Sequence, residues 1–111
     1  MAVTVKVLVP SKSMEATQQI QYTADNANAI IDKFTVTNVT ANNVSFSVNI
    51  VATGGTASPS NQIIKDRTLA PNESYICPAL VGHAIDRGGF ISTIASAASS
   101  LTMRVSGREI T

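Results

Sequence analysis

The chain has 111 residues, one ordinary domain in size, and a chain of this length buries roughly two thirds of the surface that it exposes when unfolded. Its eight basic and seven acidic residues give a formal net charge of +1 and are scattered singly, which argues against the clustered Lys and Arg of a nucleic-acid surface. A single cysteine excludes an internal disulfide and a cysteine-built zinc site, and we expect neither a metal nor a cofactor.

The N-terminal stretch MAVTVKVLVPSKS alternates apolar and polar residues and meets Pro10 early. It lacks the basic start and the continuous apolar run of a secretion signal. We therefore predict a strand in which the odd-numbered valines 3–9 share one face and Leu8 breaks the alternation. No apolar run approaches the ~20 residues of a membrane span, so no membrane contact is expected.

Period-two alternation continues along most of the chain. Ile20 and Tyr22 share a face in TQQIQYT, and AIIDKFTVTNVT and NVSFSVNIVA repeat the pattern. In the last of these runs, the predicted inward and outward sets are Val44, Phe46, Val48 and Ile50 against Ser45, Ser47 and Asn49. The intervening NVTANN favours a turn, so the last two runs are predicted to form a β-hairpin.

The second half of the chain contains further strands separated by turn signals. A polar loop, TGGTASPSN, precedes QIIKDRTLA and ESYICP, which are joined by the turn APNE. Pro71 presets the φ angle of that turn and Asn72 tolerates the left-handed conformation. FISTIAS and SLTMRVSGREI are predicted to form a last pair of strands.

One segment, CPALVGHAIDRGG, has a helical spacing of apolar residues. Its stripe and its two end signals are Leu80, Val81, Ala84 and Ile85, with Pro78 in the first turn and Gly88 at the C-terminal cap. We predict one short helix near residues 78–87.

These elements predict an all-β fold with a single domain over residues 1–111. Seven or eight short strands indicate an antiparallel β-sandwich of immunoglobulin-like or related Greek-key type. A small barrel is the alternative, because strand pattern alone does not decide closure.

The candidate chemistry centres on Cys77 and His83, the only cysteine and the only histidine. A thiol at a helix N-terminus could be activated, with His83 as base and Asp86 as the group that orients it. No Gly-rich oxyanion loop, calcium loop or paired carboxylates accompany them. We therefore predict that the protein is not an enzyme and that Cys77 is a buried structural residue.

The C-terminal RVSGREIT carries Arg104, Arg108 and Glu109 on or just after the last strand. One interpretation is a polar contact with a neighbouring subunit. The other is that these charges protect an exposed strand edge from aggregation. The outward Ser, Thr and Asn residues add a weakly charged surface that suits repeated protein contacts.

From about Lys6 to Ile110, the sequence resembles small structural proteins of tailed bacteriophages and prophages. The resemblance is carried by AIIDKFTVTNVTANNVSFSVNIV, RTLAPNESYICPALVGHAID and GGFISTIASAASSLTMRVSGREI. Asn72 stands where such turns more often have glycine, and it keeps the left-handed option. The resemblance supplies no active site.

The resemblance implies a non-enzymatic virion protein, assembled in the host cytoplasm and bound to other virion proteins of the tail, neck or capsid. We favour a homo-oligomeric subunit, with a trimer as the expected symmetry, in a tail or neck appendage or a fibre. The alternative is a capsid decoration protein. A second alternative is a host-surface or glycan-binding module built on the TGGTASPSN loop, although only Tyr22 and Tyr75 could serve as tyrosine platforms for sugars.

Overall fold

The computed structural model describes residues 2–111, which form two antiparallel β-sheets packed as a sandwich. The strands of sheet A are β1 (Val3–Ser13), β3 (Asn28–Asn38), β6 (Ser74–Tyr75), β7 (Ala84–Ile85) and β9 (Leu101–Ile110). The strands of sheet B are β2 (Gln19–Thr23), β4 (Val44–Val51), β5 (Gln62–Leu69) and β8 (Phe90–Ala95). A 3-10 turn at Pro59–Asn61 precedes β5.

The order of the strands in the two sheets defines the topology of the fold. Sheet A runs β1-β9-β3-β6, with β7 also paired to β3, and sheet B runs β2-β8-β4-β5. The chain therefore crosses between sheets at nearly every connection, and only β4 and β5 are successive neighbours within a sheet. This is the eight-stranded jelly roll, a double Greek key, with the sixth strand position divided between β6 and β7. The predicted antiparallel sandwich of Greek-key type is confirmed.

The core between the sheets is aliphatic with few aromatic rings. Phe34 from sheet A and Phe46 from sheet B are its largest fully buried side chains, and Val44 and Val48 also face inward as predicted. Ile50 is only partly buried. Burying a Val, Leu, Ile or Phe side chain contributes about 1.5–3 kcal/mol, so the alternating apolar faces supply most of the stabilisation.

The predicted outward residues of β4 are less exposed than alternation suggests. Ser47 and Asn49 point away from the core, but both are buried. The loop before β5 covers Asn49, whose amide donates to the Ser58 carbonyl and to Asn61 Oδ1 at 2.9 and 2.7 Å. Ser47 Oγ accepts a hydrogen bond from the Asp66 amide at 2.9 Å.

The predicted hairpin between β3 and β4 is wrong, because the two strands belong to different sheets. The predicted last pair is wrong for the same reason, since β8 lies in sheet B and β9 in sheet A. Asn38 shows how the first crossing is held. Its side-chain amide donates to the Asn42 and Leu69 carbonyls at 2.7 and 3.1 Å, and so links the end of β3 to the end of β5 in the other sheet.

The predicted helix at 78–87 is also wrong, and residues 2–111 contain no α-helix. The segment forms turns and then the short strand β7. Gly82 lies in its middle with a φ of +89°, which a helix does not allow, and its amide donates to the Ile31 carbonyl at 2.7 Å. The Ile31 amide in turn donates to the His83 carbonyl. Backbone pairing with β3 therefore takes the place of helical hydrogen bonds in this segment.

None of the described residues belongs to a helix that could span a membrane.

The APNE turn before β6 is confirmed. Asn72 has a φ of 63°, the left-handed conformation that asparagine tolerates better than most residues. The Glu73 amide donates to the Ala70 carbonyl at 3.1 Å, and Glu73 Oε1 accepts from the Ala70 amide at 2.7 Å.

Candidate functional site

The three predicted contact residues all lie on β9, but on its two opposite faces. Leu101, Met103 and Val105 point into the core, so the alternation places Arg104 and Arg108 on the outer face of sheet A. Glu109 lies on the inner side, near the end of the strand. The structure therefore does not bring the three residues together in one patch.

Arg108 forms an ion pair with Asp32 on the neighbouring strand β3. Its Nε and Nη2 donate to the two carboxylate oxygens at 3.0 and 2.9 Å. These hydrogen bonds raise the pKa of Arg108, which stays charged in any case. Each side chain keeps 42% of its surface exposed to solvent, so the pair adds little stability and mainly organises the outer face of sheet A.

Glu109 is the centre of a polar cluster on the other face. Its carboxylate accepts hydrogen bonds from the Tyr22 hydroxyl and from Lys6 Nζ, the latter at 3.2 Å. The bond from Tyr22, with help from Lys6, lowers the pKa of Glu109. Burial and the adjacent carboxylate raise the pKa of Tyr22. The cluster joins β1 and β9 of sheet A to β2 of sheet B.

These shifts predict a pH dependence of stability. Because the pKa of Glu109 is lower in the folded protein, its contribution is present at neutral pH and is lost as the pH falls below the ordinary value of 4.5. We expect Glu109→Gln to be less stable than wild type at pH 7 and to lose less stability between pH 5 and pH 3. Denaturant unfolding at several pH values measures this. An acid dependence unchanged in Glu109→Gln would contradict the assignment and leave Glu15, whose pKa Lys12 lowers, as the source.

The first half of β1 presents an unusual exposed apolar edge. Its alternation is interrupted at Leu8, which forms a bulge between the Val7–Ser106 and Val9–Val105 pairs. Leu8 and Val9 therefore face the core, while Val3, Val5 and Val7 face outward with 58, 82 and 38% of their surface exposed. We call these three residues the valine edge. The sequence placed all four valines on one face, and the break at Leu8 was the signal that they divide.

A shallow groove lies on the outer face of sheet B, beneath the loop that precedes β5. Its volume is about 330 Å³, and it is lined by Gln18, Ile20, Gly55, Thr56, Ala57, Phe90 and Ser92. Gln18 Nε2 donates to Ser92 Oγ at 2.7 Å, so part of its polar lining is already paired. Phe90 is half-buried and Ile20 is exposed, which gives the groove an apolar floor.

Cys77 and His83 do not form a thiol–imidazole pair. The Cys77 side chain is fully buried, whereas His83 is exposed, and no hydrogen bond joins them among the described residues. Burial raises the pKa of the Cys77 thiol to about 12, although Arg67 opposes the shift. Without the predicted helix there is no helix N-terminus to activate the thiol. In residues 2–111, no group of three His, Cys, Asp or Glu side chains is placed to hold a metal.

The burial of Cys77 predicts that it resists alkylation in the folded protein. A rise in pKa from 9.0 to about 12 lowers the thiolate fraction at pH 8 by roughly a thousandfold, before steric protection is counted. We expect iodoacetamide to label Cys77 at least a hundredfold more slowly in the native protein than in denaturant, followed by mass spectrometry. Rapid labelling of the native protein would restore Cys77 as a candidate nucleophile.

Comparisons with known proteins give one structural relationship. No family model matches the sequence, and no curated protein matches it. A chain from the structure of infectious bursal disease virus Gx strain is similar in fold, with a TM-score of 0.55 and 13% sequence identity. The match covers 98% of this chain and 33% of the viral chain, so this chain spans about a third of that length. At this identity the similarity shows the fold alone.

Proposed function

We propose that this protein is a non-enzymatic structural subunit of a virus particle. The observation that carries the proposal is the similarity in fold between this jelly roll and a chain from a virus structure, which extends over 98% of the present chain. The fold is common in viral capsids but is also used by lectins and cupins, so the fold by itself does not assign a function. The buried thiol at Cys77 and the separation of Cys77 from His83 support a non-enzymatic role.

Within this class we propose a bacteriophage particle, in which the protein is a homo-oligomeric subunit of a tail or neck appendage or a fibre. The sequence resemblance to tailed-phage structural proteins supports this choice. A capsid decoration protein is the alternative, and its partners would be capsid proteins in place of tail or neck proteins. Both place the protein in the virion.

The experiment is to purify particles released from cells that express this chain from its native gene and to probe them with a specific antibody after gradient sedimentation. We expect the chain to sediment with intact particles and immunogold label to lie at one repeated position. Label along the tail or at the neck supports the appendage, and label over the head supports decoration. Expression in the cells without the chain in the particle fraction would contradict the proposal.

A second candidate function is carbohydrate or host-surface binding at the groove over sheet B. The observation in its favour is the apolar floor of Ile20 and Phe90 beside the exposed hydroxyl group of Thr56. A glycan array with Ile20→Asp as the groove variant and Val39→Asp as an exposed control tests it. Binding that is lost only in Ile20→Asp supports the groove, and absence of binding by the wild-type protein excludes the glycans on the array as ligands.

A further inference from the structure

One edge of sheet A is made by β1, and the opposite edge by the two-residue strands β6 and β7. In the order β1-β9-β3-β6, β1 pairs only with β9, and no other strand of residues 2–111 lies beside it. Both faces of its first half are exposed, including Thr4 and Lys6, so the rest of the fold does not cover this edge. Further along, Pro10 has no amide hydrogen and bounds the usable segment.

The backbone of the valine edge points outward. Ala2 and Thr111 exchange both of their backbone hydrogen bonds, at 3.2 and 2.9 Å, so they form a hydrogen-bonded pair of the β1–β9 ladder. The register continues without a break from Val3–Ile110 to Val7–Ser106. Because hydrogen-bonded and non-hydrogen-bonded pairs alternate, Thr4 and Lys6 bond to β9, while the amides and carbonyls of Val3, Val5 and Val7 point to the open edge.

We propose that the valine edge binds the valine edge of a second copy of this chain, antiparallel, about a two-fold axis at Val5. In this register Val3 faces the partner's Val7, Val5 faces the partner's Val5, and all three outward-pointing amides of each copy meet an acceptor. The two A sheets become one continuous sheet. The contact goes beyond the proposed virion role and does not depend on it.

The side chains favour this register over its neighbours. Centring the pairing on Lys6 would place two lysines directly opposite each other, which is destabilising. Centring it on Thr4 would leave Val7 without a valine of the partner opposite it. With the axis at Val5, each Lys6 faces the partner's Thr4, whose own neighbour on β9 is Glu109. Strands lie about 4.8 Å apart, so lysine and glutamate side chains reach across one intervening strand. Lys6 already donates to Glu109 within each copy, and this register brings the two Lys6–Glu109 pairs side by side, with each Lys6 also near the partner's Glu109, so that opposite charges alternate across the contact.

Sedimentation equilibrium over a range of concentrations tests the proposal. One chain has a mass of 11.6 kDa, and we expect a reversible species of twice that mass. Five paired residues per copy make a small interface, so the dimer is expected to dissociate on dilution. Val5→Lys, which places two lysines at the axis, should raise the dissociation constant at least tenfold. Val39→Lys, at a valine that is 58% exposed in the β3–β4 connection, should leave it unchanged. Circular dichroism verifies that both variants fold.

Cysteine cross-linking tests the register itself. Opposed residues of a hydrogen-bonded pair have Cα atoms about 5.5 Å apart, which a disulfide can bridge. We expect Val5→Cys to form a covalent dimer on mild oxidation and Thr4→Cys to remain a monomer on a denaturing gel, with the buried Cys77 left in place. A monomeric wild type at high concentration, a trimer unaffected by Val5→Lys, or equal cross-linking of the two variants would overturn the proposal.

Discussion

Replacing Gly107 with alanine is expected to destabilise the protein by about 3 kcal/mol or more. Gly107 lies on the inner side of β9, where β3 approaches at the bulge after Ile31. A Cβ atom there would lie 2.1 Å from the Ile30 carbonyl oxygen and 2.9 Å from Leu8 Cδ1. The first of these is a backbone atom, so a side-chain rotation cannot relieve the contact. Strand β3 or β9 would have to shift.

Thermal unfolding measured by circular dichroism checks this prediction. A loss of ~3 kcal/mol in a domain of this size lowers Tm by roughly 10–20 °C. Ser106→Ala is the matched control, because Ser106 is the preceding residue on the outer face and its substitution should change the free energy of unfolding by less than about 0.5 kcal/mol. If Gly107→Ala unfolds within about 1 kcal/mol of wild type, the close approach of β3 to β9 described above is wrong.

Replacing Asn38 with leucine is expected to cost about 3 kcal/mol, because a fully buried side chain makes four hydrogen bonds there. Besides the bonds from its amide to Asn42 and Leu69, its Oδ1 accepts from the Thr40 amide and hydroxyl at 3.0 and 2.8 Å. Leucine would leave the buried Leu69 carbonyl without this donor and would release the turn after β3. Denaturant unfolding measures the loss.

The variant Asn38→Asp distinguishes the contribution of the hydrogen bonds to stability from that of the side-chain volume. A carboxylate has nearly the same shape but cannot donate to the two carbonyls, and its charge would be buried. We expect Asn38→Asp to be strongly destabilised at pH 7 and to approach wild type as the pH falls, because the protonated acid regains one donor. Thr40→Ala should cost less than about 1 kcal/mol. A pH-independent difference between Asn38→Asp and wild type would contradict the assigned role.

Most of the strands and the inward face of β4 could be predicted from the sequence because alternation is a local property. Val44, Phe46 and Val48 were assigned correctly, and so was the left-handed turn at Asn72. The partners of each strand were not predictable in this way. A connection of five residues between β3 and β4 fits a hairpin as well as a crossing between sheets, and the choice depends on tertiary pairing, of β3 with β9 and of β4 with β5 and β8.

The prediction of a helix was wrong because the same apolar spacing also fits turns and a short strand that pair with β3. Leu80 and Ile85 are buried, but Val81 is exposed, and the backbone of Gly82 and His83 bonds to Ile31 in β3. The candidate pair of Cys77 and His83 depended on that helix, and without the helix the two side chains do not form a pair. In β9, alternation predicts that Arg108 and Glu109 point in opposite directions, which argues against one contact patch.

The valine edge was not predicted, because alternating valines look like the inward face of a strand and the break at Leu8 does not by itself tell which valines turn outward. Only the bulge at Leu8, defined by pairing with a strand about a hundred residues away, turns Val3, Val5 and Val7 outward. Their exposure is a tertiary property, and it provides the surface to which a second copy of the chain is proposed to bind.

Cryo-electron microscopy of purified particles from cells that carry the gene tests the proposal that this jelly roll is a structural subunit of a virus particle. We expect repeated density into which the two sheets fit, with residues 2–111 traceable at symmetry-related positions. If the cells express this protein but other chains account for all of the repeated density in the map, the proposal is wrong.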